Sequence, residues 1–114
     1  MEERKIVILG AGHVGSHCAY ALAACGVCEE IVLVDVIPQK AYAQALDVAD
    51  SVSLMARPVQ VRSGEVAECR DASLVVVAIG EPRKPGQTRL DLLGRSVEQL
   101  KDLIREIGRA SCRE

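Results

Sequence analysis

The sequence has no phenylalanine and no tryptophan, and only two tyrosines. Its core must therefore be assembled from Ala, Val, Leu and Ile. The same lack removes the aromatic platform on which single-stranded nucleic acids stack. A surplus of positive charge is missing too. The formal net charge is −2, which gives no basic field for a phosphate backbone. Nucleic acid is thus not an expected partner. Long apolar runs are absent as well. "MEERK" carries mixed charge, and "IVILG" behind it is too short for a signal peptide or a membrane span. The expectation is a soluble, cytoplasmic protein with no membrane partner. The cysteines are Cys18, Cys25, Cys28, Cys69 and Cys112. An odd count argues against a disulfide framework. Cys25 and Cys28 form "CGVC", but a redox pair needs its first thiol at a helix N-terminus. Here the pair falls at a helix end, beside a stop signal at Gly26. It reads as structural, neither redox-active nor metal-binding.

What is present fits one small domain: 114 residues, 49% hydrophobic and 26% charged. Lys5 to Leu9 predicts a fully buried strand. Val14, Cys18, Ala21, Leu22 and Cys25 share one face of a predicted helix. Ile31 to Val34 predicts a second buried strand, closed by Asp35. Pro38 suits the first turn of the next helix, whose apolar face is Ala41, Ala45, Val48, Ala49 and Val52. Val59 to Arg62 predicts a short third strand, Glu65 to Ala72 a turn or short helix, and Leu74 to Ala78 a fourth strand. A last helix is expected from near Thr88, because Thr88 and Asp91 have capping-box spacing. Its apolar positions are Leu93, Val97, Leu100, Ile104 and Ile107. Strands that are apolar throughout imply a sheet covered on both faces. With right-handed crossovers the order predicts an α/β fold, a doubly wound parallel sheet of the Rossmann type, incomplete at its first four strands and their helices.

Gly10, Gly12 and Gly15 form GxGxxG between a predicted strand and a predicted helix. The three glycines serve a tight turn, close backbone approach to a pyrophosphate, and close helix–strand packing. The helix start offers unpaired N–H groups and partial positive charge to the phosphates. Asp35, at the end of the second strand, can accept hydrogen bonds from a ribose hydroxyl and repel the extra phosphate of NADP. The expected cofactor is NAD. Lys40 is placed to flank the adenosine, and Val14 to pack near the cofactor. His13 and His17 lie on the polar side of the helix start, with no carboxylate placed to orient them, and are not expected to be catalytic.

"EPRKPGQTRLDLL", residues 81–93, follows the fourth strand and sets Arg83, Lys84 and Arg89 around a Pro85-Gly86 hinge. In such sheets the strand's C-terminal end opens at the ligand crevice, and Gly80 lets the backbone pass close to a cofactor. A guanidinium there can clamp a carboxylate with two parallel hydrogen bonds. It can also stabilise charge that develops on a carbonyl oxygen only in the transition state.

"KIVILGAGHVGSHCAYAL", "IVLVDV" and "PRKPGQTRLDLL" together resemble the L-lactate/malate dehydrogenase family, over residues 4 to about 106. The resemblance implies an NAD-dependent L-2-hydroxy acid dehydrogenase that works as a homo-oligomer. It implies that Arg83 meets the substrate side chain and sets specificity, and that Arg89 polarises the substrate carbonyl. Lactate-type members usually carry Gln at Arg83 and malate-type members Arg. "GQTRLDLL" is nearer the lactate type, and "AIGEP" departs from the commoner "AGA". Likeness favours pyruvate as the 2-oxo acid, whereas the chemistry of Arg83 favours oxaloacetate. A non-catalytic nucleotide-sensing module is the competing reading, but such a module has no use for two arginines on this loop. Residues 1–106 are expected to be part of an NAD-binding domain. Residues 107–114, "IGRASCRE", lack helical spacing, resemble a translated sequencing adaptor and are expected to be a non-native tail. The substrate domain and the family's catalytic His–Asp pair are expected to lie beyond this chain, leaving these residues without dehydrogenase activity of their own.

Overall fold

Five consecutive residues, Lys5–Leu9, are buried along the whole of β1, because this strand has a neighbour on each edge and a layer on each face. The structure is a computed structural model and describes residues 3–111. It comprises β1 (Lys5–Leu9), α1 (His13–Cys25), β2 (Glu30–Val34), α2 (Pro38–Val52), β3 (Gln60–Ser63), a 3-10 segment (Val66–Asp71), β4 (Leu74–Val77) and α3 (Arg89–Ser111). The sheet is parallel, in the order β3-β2-β1-β4. The chain thus builds outward from β1 and then returns to its other side at β4. That reversal is the switch point at which open α/β sheets bind ligands.

Side-chain alternation divides the core. Ile6, Ile8, Ile31, Leu33 and Val61 face α1 and α2. Val7, Leu9, Val32 and Val34 face the 3-10 segment, with Leu103 and Ile107 of α3 packed behind them. The expected doubly covered parallel sheet is therefore observed. The expected face of α2 is observed as well, with Ala41, Ala45, Val48 and Val52 buried and Ala49 partly buried against the same core.

Other expectations are corrected. The buried side of α1 is Gly15, Ser16, Ala19 and Ala23; Val14 and Cys25 are exposed and Cys18 and Leu22 only half-buried. α1 rides so close to the sheet that low volume, not hydropathy, decides which residues fit beneath it. β4 is only partly buried, with Leu74 and Val77 exposed, because it has a strand on one edge alone. On α3 the stripe Leu93, Val97, Leu100 and Ile104 is exposed, and Leu103 and Ile107 do the packing. The helix does not break at Ile107 but continues to Ser111, where the Ala110 carbonyl accepts from Arg70 Nε at 3.4 Å. Cys112 lies outside the described residues. Gly26 is in the left-handed region, φ 64°, and stops α1 as expected. The CGVC pair therefore sits at a helix C-terminus, and burial pushes the Cys28 thiol up, away from a reactive thiolate. Among the described residues, no helix is long and apolar enough to cross a membrane.

One polar cluster pins the 3-10 segment to the sheet. Lys5, only 8% exposed, donates to Glu68 at 3.0 Å and to Asp71. Arg62 grips both oxygens of Glu68, at 2.7 and 3.0 Å, and donates to Glu30 at 2.6 Å. These hydrogen bonds, Arg62 first, hold the Glu68 carboxyl down at about 2, against an ordinary 4.5. Its folded pKa is lowered, so its stabilisation is complete above about pH 4.5 and drains away as pH falls toward 2. Glu68→Gln is expected to flatten this acid limb and to cost about 1–2 kcal/mol at neutral pH. Urea unfolding at stepped pH measures both.

Candidate functional site

The strand register sets Leu9, Val34 and Val77 abreast. Gly10, Asp35 and Ala78, which follow them, leave the sheet side by side, and hydrogen bonds lock the row. Gly10 N–H donates to the Val34 carbonyl at 2.7 Å, and Ala78 N–H to the Leu9 carbonyl at 2.8 Å. Asp35 accepts the Ala11 N–H at 2.8 Å on one oxygen and the Ile37 N–H at 3.0 Å on the other. A carboxylate has about four lone-pair sites, so each oxygen keeps capacity for a further donor.

The three glycines separate by function. Gly10 has φ 111°, and a Cβ there would sit 2.4 Å from the Ala78 carbonyl oxygen. A Cβ on Gly15 would sit 1.8 Å from the Gly10 carbonyl oxygen, which is the predicted close helix–strand packing. A Cβ on Gly12 would meet only the Lys40 ammonium, at 3.9 Å. The space in front of Gly12 is thus open and has a cation at its side. Among the described residues no side chain caps α1, so its first N–H groups face that space unmatched. An anionic diphosphate fits this donor set. Lys40 and Asp35 come together at the same turn. Val14 is 73% exposed and offers an apolar surface in the first turn. His13 and His17 are exposed, and His17 Nδ1 lies against the His13 carbonyl within the helix itself.

Gly80, Arg83 and Arg89 lie on the exposed stretch after Ala78. A Cβ on Gly80 would meet nothing within 4 Å. At Pro85-Gly86 the structure has a turn. Pro85 and Gly86 occupy its centre, Gly86 at φ 86°, and Gln87 N–H donates to the Lys84 carbonyl at 3.0 Å. Pro followed by a positive-φ Gly is the signature of a type II turn. Gln87 Oε1 in turn accepts the Lys84 N–H at 2.9 Å. Thr88 and Asp91 form the expected reciprocal cap at 2.7 and 3.2 Å. Among the described residues neither Arg83 nor Arg89 forms an ion pair. Two participants are not visible in the sequence: Ala11, whose N–H holds Asp35, and Glu81, which contacts α3. Neither leaves a periodic or motif signal. A separate cleft of about 530 Å³ borders Lys5, Arg62, Glu68 and Asp71, but those charges already neutralise one another.

Comparison with known proteins agrees with this geometry. Residues 4–114 match the family described as lactate/malate dehydrogenase, NAD binding domain. The L-lactate dehydrogenase of Pediococcus pentosaceus is 41% identical over 104 residues, 91% of this chain and 32% of that protein. L-lactate dehydrogenase 2 of Bacillus cereus is 44% identical over 103 residues, 90% of this chain and 33% of that protein. The chain therefore spans about a third of the length of these relatives. Among solved structures, the minor L-lactate dehydrogenase of Enterococcus mundtii in its ligand-bound form superimposes with a TM-score of 0.91 at 40% identity, covering 97% of this chain and 35% of that one. The malate dehydrogenase of Archaeoglobus fulgidus in complex with NADH gives 0.86 at 30% identity, covering 94% and 37%. With a family match over nearly its whole length, the chain belongs to the NAD-binding domain family of the lactate/malate dehydrogenases.

Proposed function

We propose that this chain is the cofactor-binding part of an NAD-dependent L-2-hydroxy acid dehydrogenase of the lactate type, acting on a 2-oxo acid such as pyruvate. The observation that carries the reading is the contact of Gly10 with Ala78, which joins the glycine turn to the base of the arginine loop. A dinucleotide laid from Asp35 across Gly12 runs toward that loop. In this reading Gly10, Gly12 and Gly15 shape the turn, and the α1 N-terminus takes the diphosphate. Asp35 takes ribose hydroxyls, Lys40 flanks the adenosine half, and Val14 and Gly80 line the path. Bound NAD supplies a hydride donor or acceptor. The chain's own part is to orient: Arg83 meets the substrate side chain, and Arg89 stabilises negative charge gathering on the substrate oxygen. The named relatives support lactate as substrate. The charge of Arg83, with no ion-pair partner among the described residues, favours malate as the second reading. Assembly into a homo-oligomer belongs to the same proposal, and the exposed stripe on α3 offers the apolar surface it needs.

Calorimetric titration tests the cofactor reading. NADH is expected to bind and NADPH not. Asp35→Asn keeps one acceptor but removes the charge, so NADH affinity should fall about five- to tenfold, for about 1 kcal/mol lost, while NADPH binding appears. No heat with either nucleotide in the unaltered chain would overturn the reading.

A further inference from the structure

The arginine loop must be held by something other than its arginines. The Lys84–Gln87 turn is internal to the loop, and the Thr88–Asp91 cap closes on itself. Glu81 is different. Its Oε1 lies 3.1 Å from Arg95 Nη2 in an ion pair and accepts a hydrogen bond from Gln99 Nε2 at 3.2 Å. Arg95 and Gln99 are four residues apart and so share a face of α3. One carboxylate oxygen therefore ties the base of the loop to two turns of the helix. That half of α3 has little else to hold it. Leu90, Leu93, Val97 and Leu100 are exposed, and the helix packs through Leu103 and Ile107 further along.

We propose that Glu81 is a positioning residue whose paired contacts with Arg95 and Gln99 hold the loop, residues 80–88, in one place against α3. Releasing the tie frees Arg83 and Arg89 to move. The ion pair is partly exposed, and such pairs are individually weak, so the tie can be released at little cost. The catalytic meaning of the arginines rests on the dehydrogenase reading above; the tie itself does not.

Limited trypsin digestion of the 114-residue chain reads the tie directly. Cleavage after Arg83 reports loop opening, since Lys84 is shielded by Pro85. Cleavage after Arg70, in the 3-10 segment, is the internal reference. Glu81→Ala is expected to raise the rate at Arg83 roughly two- to fivefold, with the rate at Arg70 and the melting temperature unchanged. Glu81→Gln keeps an acceptor without the charge and should fall between. The charge swap, Glu81→Arg with Arg95→Glu, should restore slow cutting, which a purely structural role would not do. Equal cutting of Glu81→Ala and the unaltered chain overturns the proposal. So does a rise shared by Arg70, or a swap that fails to restore. None of these outcomes depends on NAD, so a chain that binds no NADH would sink the dehydrogenase reading and leave this result standing.

Discussion

Gly15→Ala is expected to destabilise the protein strongly, whereas Gly12→Ala, three residues earlier in the same motif, should leave it nearly as stable but unable to hold the cofactor well. The first effect follows from a clash of 1.8 Å between the new Cβ and the Gly10 carbonyl oxygen. Gly10 cannot give way. It is pinned to the Val34 carbonyl behind it and lies against Ala78 in front. The helix must therefore lift, which loosens Ala19 and Ala23 from the sheet face they cover. Overpacking of this kind costs typically about 1–3 kcal/mol and more where backbone is the obstacle, out of a total of about 5–15 kcal/mol for a domain. At Gly12 the backbone is extended, φ −79°, and the Cβ meets only the end of the Lys40 side chain. Gly12 is the N-cap, where Ala is poorer than Gly, so stability should fall by about 0.5–1 kcal/mol and no more. The methyl group does, however, project into the space proposed for the diphosphate. NADH affinity should fall about tenfold or more, equivalent to about 1.4 kcal/mol. Urea unfolding followed by circular dichroism, paired with NADH titration, separates the two. A Gly15→Ala protein as stable as the original would refute this account of the turn.

That contrast also shows what a sequence can and cannot say. The motif Gly10–Gly12–Gly15 is legible because backbone geometry excludes a Cβ at Gly10 and Gly15, while Gly12 leaves open the space before the helix start. β1, β2 and α2 are legible because their buried residues, Lys5 apart, are also their apolar ones. α1 is not, because its contact face is made of Gly15, Ser16, Ala19 and Ala23, and hydropathy ranks Val14, Cys18 and Leu22 above them. α3 carries two apolar stripes, and the described residues cover only the one through Leu103 and Ile107. Periodicity picks out Leu93, Val97, Leu100, Ile104 and Ile107 but cannot tell that, of these, Ile107 packs in company with Leu103. The cations of the loop stand out by composition, whereas their support does not. Glu81 reaches Arg95 and Gln99 across 14 and 18 positions, and contacts of that kind leave no local pattern. Arg62, likewise, is in the sequence only the end of a strand, although it anchors the polar cluster through Glu68 and Glu30.

Arg89→Gln is expected to remove most turnover while leaving the fold intact. Arg89 is the first residue of α3, where a cation opposes the helix dipole and costs about 0.3–1 kcal/mol at an exposed position. Among the described residues Arg89 has no ion-pair partner, and Asp91 in the same turn is taken up by the cap with Thr88. A neutral side chain should therefore be neutral or slightly stabilising, and a charge kept there against its own helix calls for a role outside the helix. The proposed role is to stabilise negative charge on the substrate oxygen, and losing one such donor typically costs about 10²–10³ in kcat. Arg89→Lys should rescue little, because an ammonium cannot reproduce the planar fork of the guanidinium. Arg83→Gln should instead alter choice of substrate, lowering turnover of oxaloacetate more than of pyruvate. The measurement needs the remaining two thirds of a relative. Residues 1–111 of this chain, joined to the corresponding remainder of the Bacillus cereus L-lactate dehydrogenase 2, provide it once the unaltered chimera turns over NADH. If Arg89→Gln in that chimera keeps kcat within a few-fold, the guanidinium has no part in the chemistry, and the loop's charge would need another explanation.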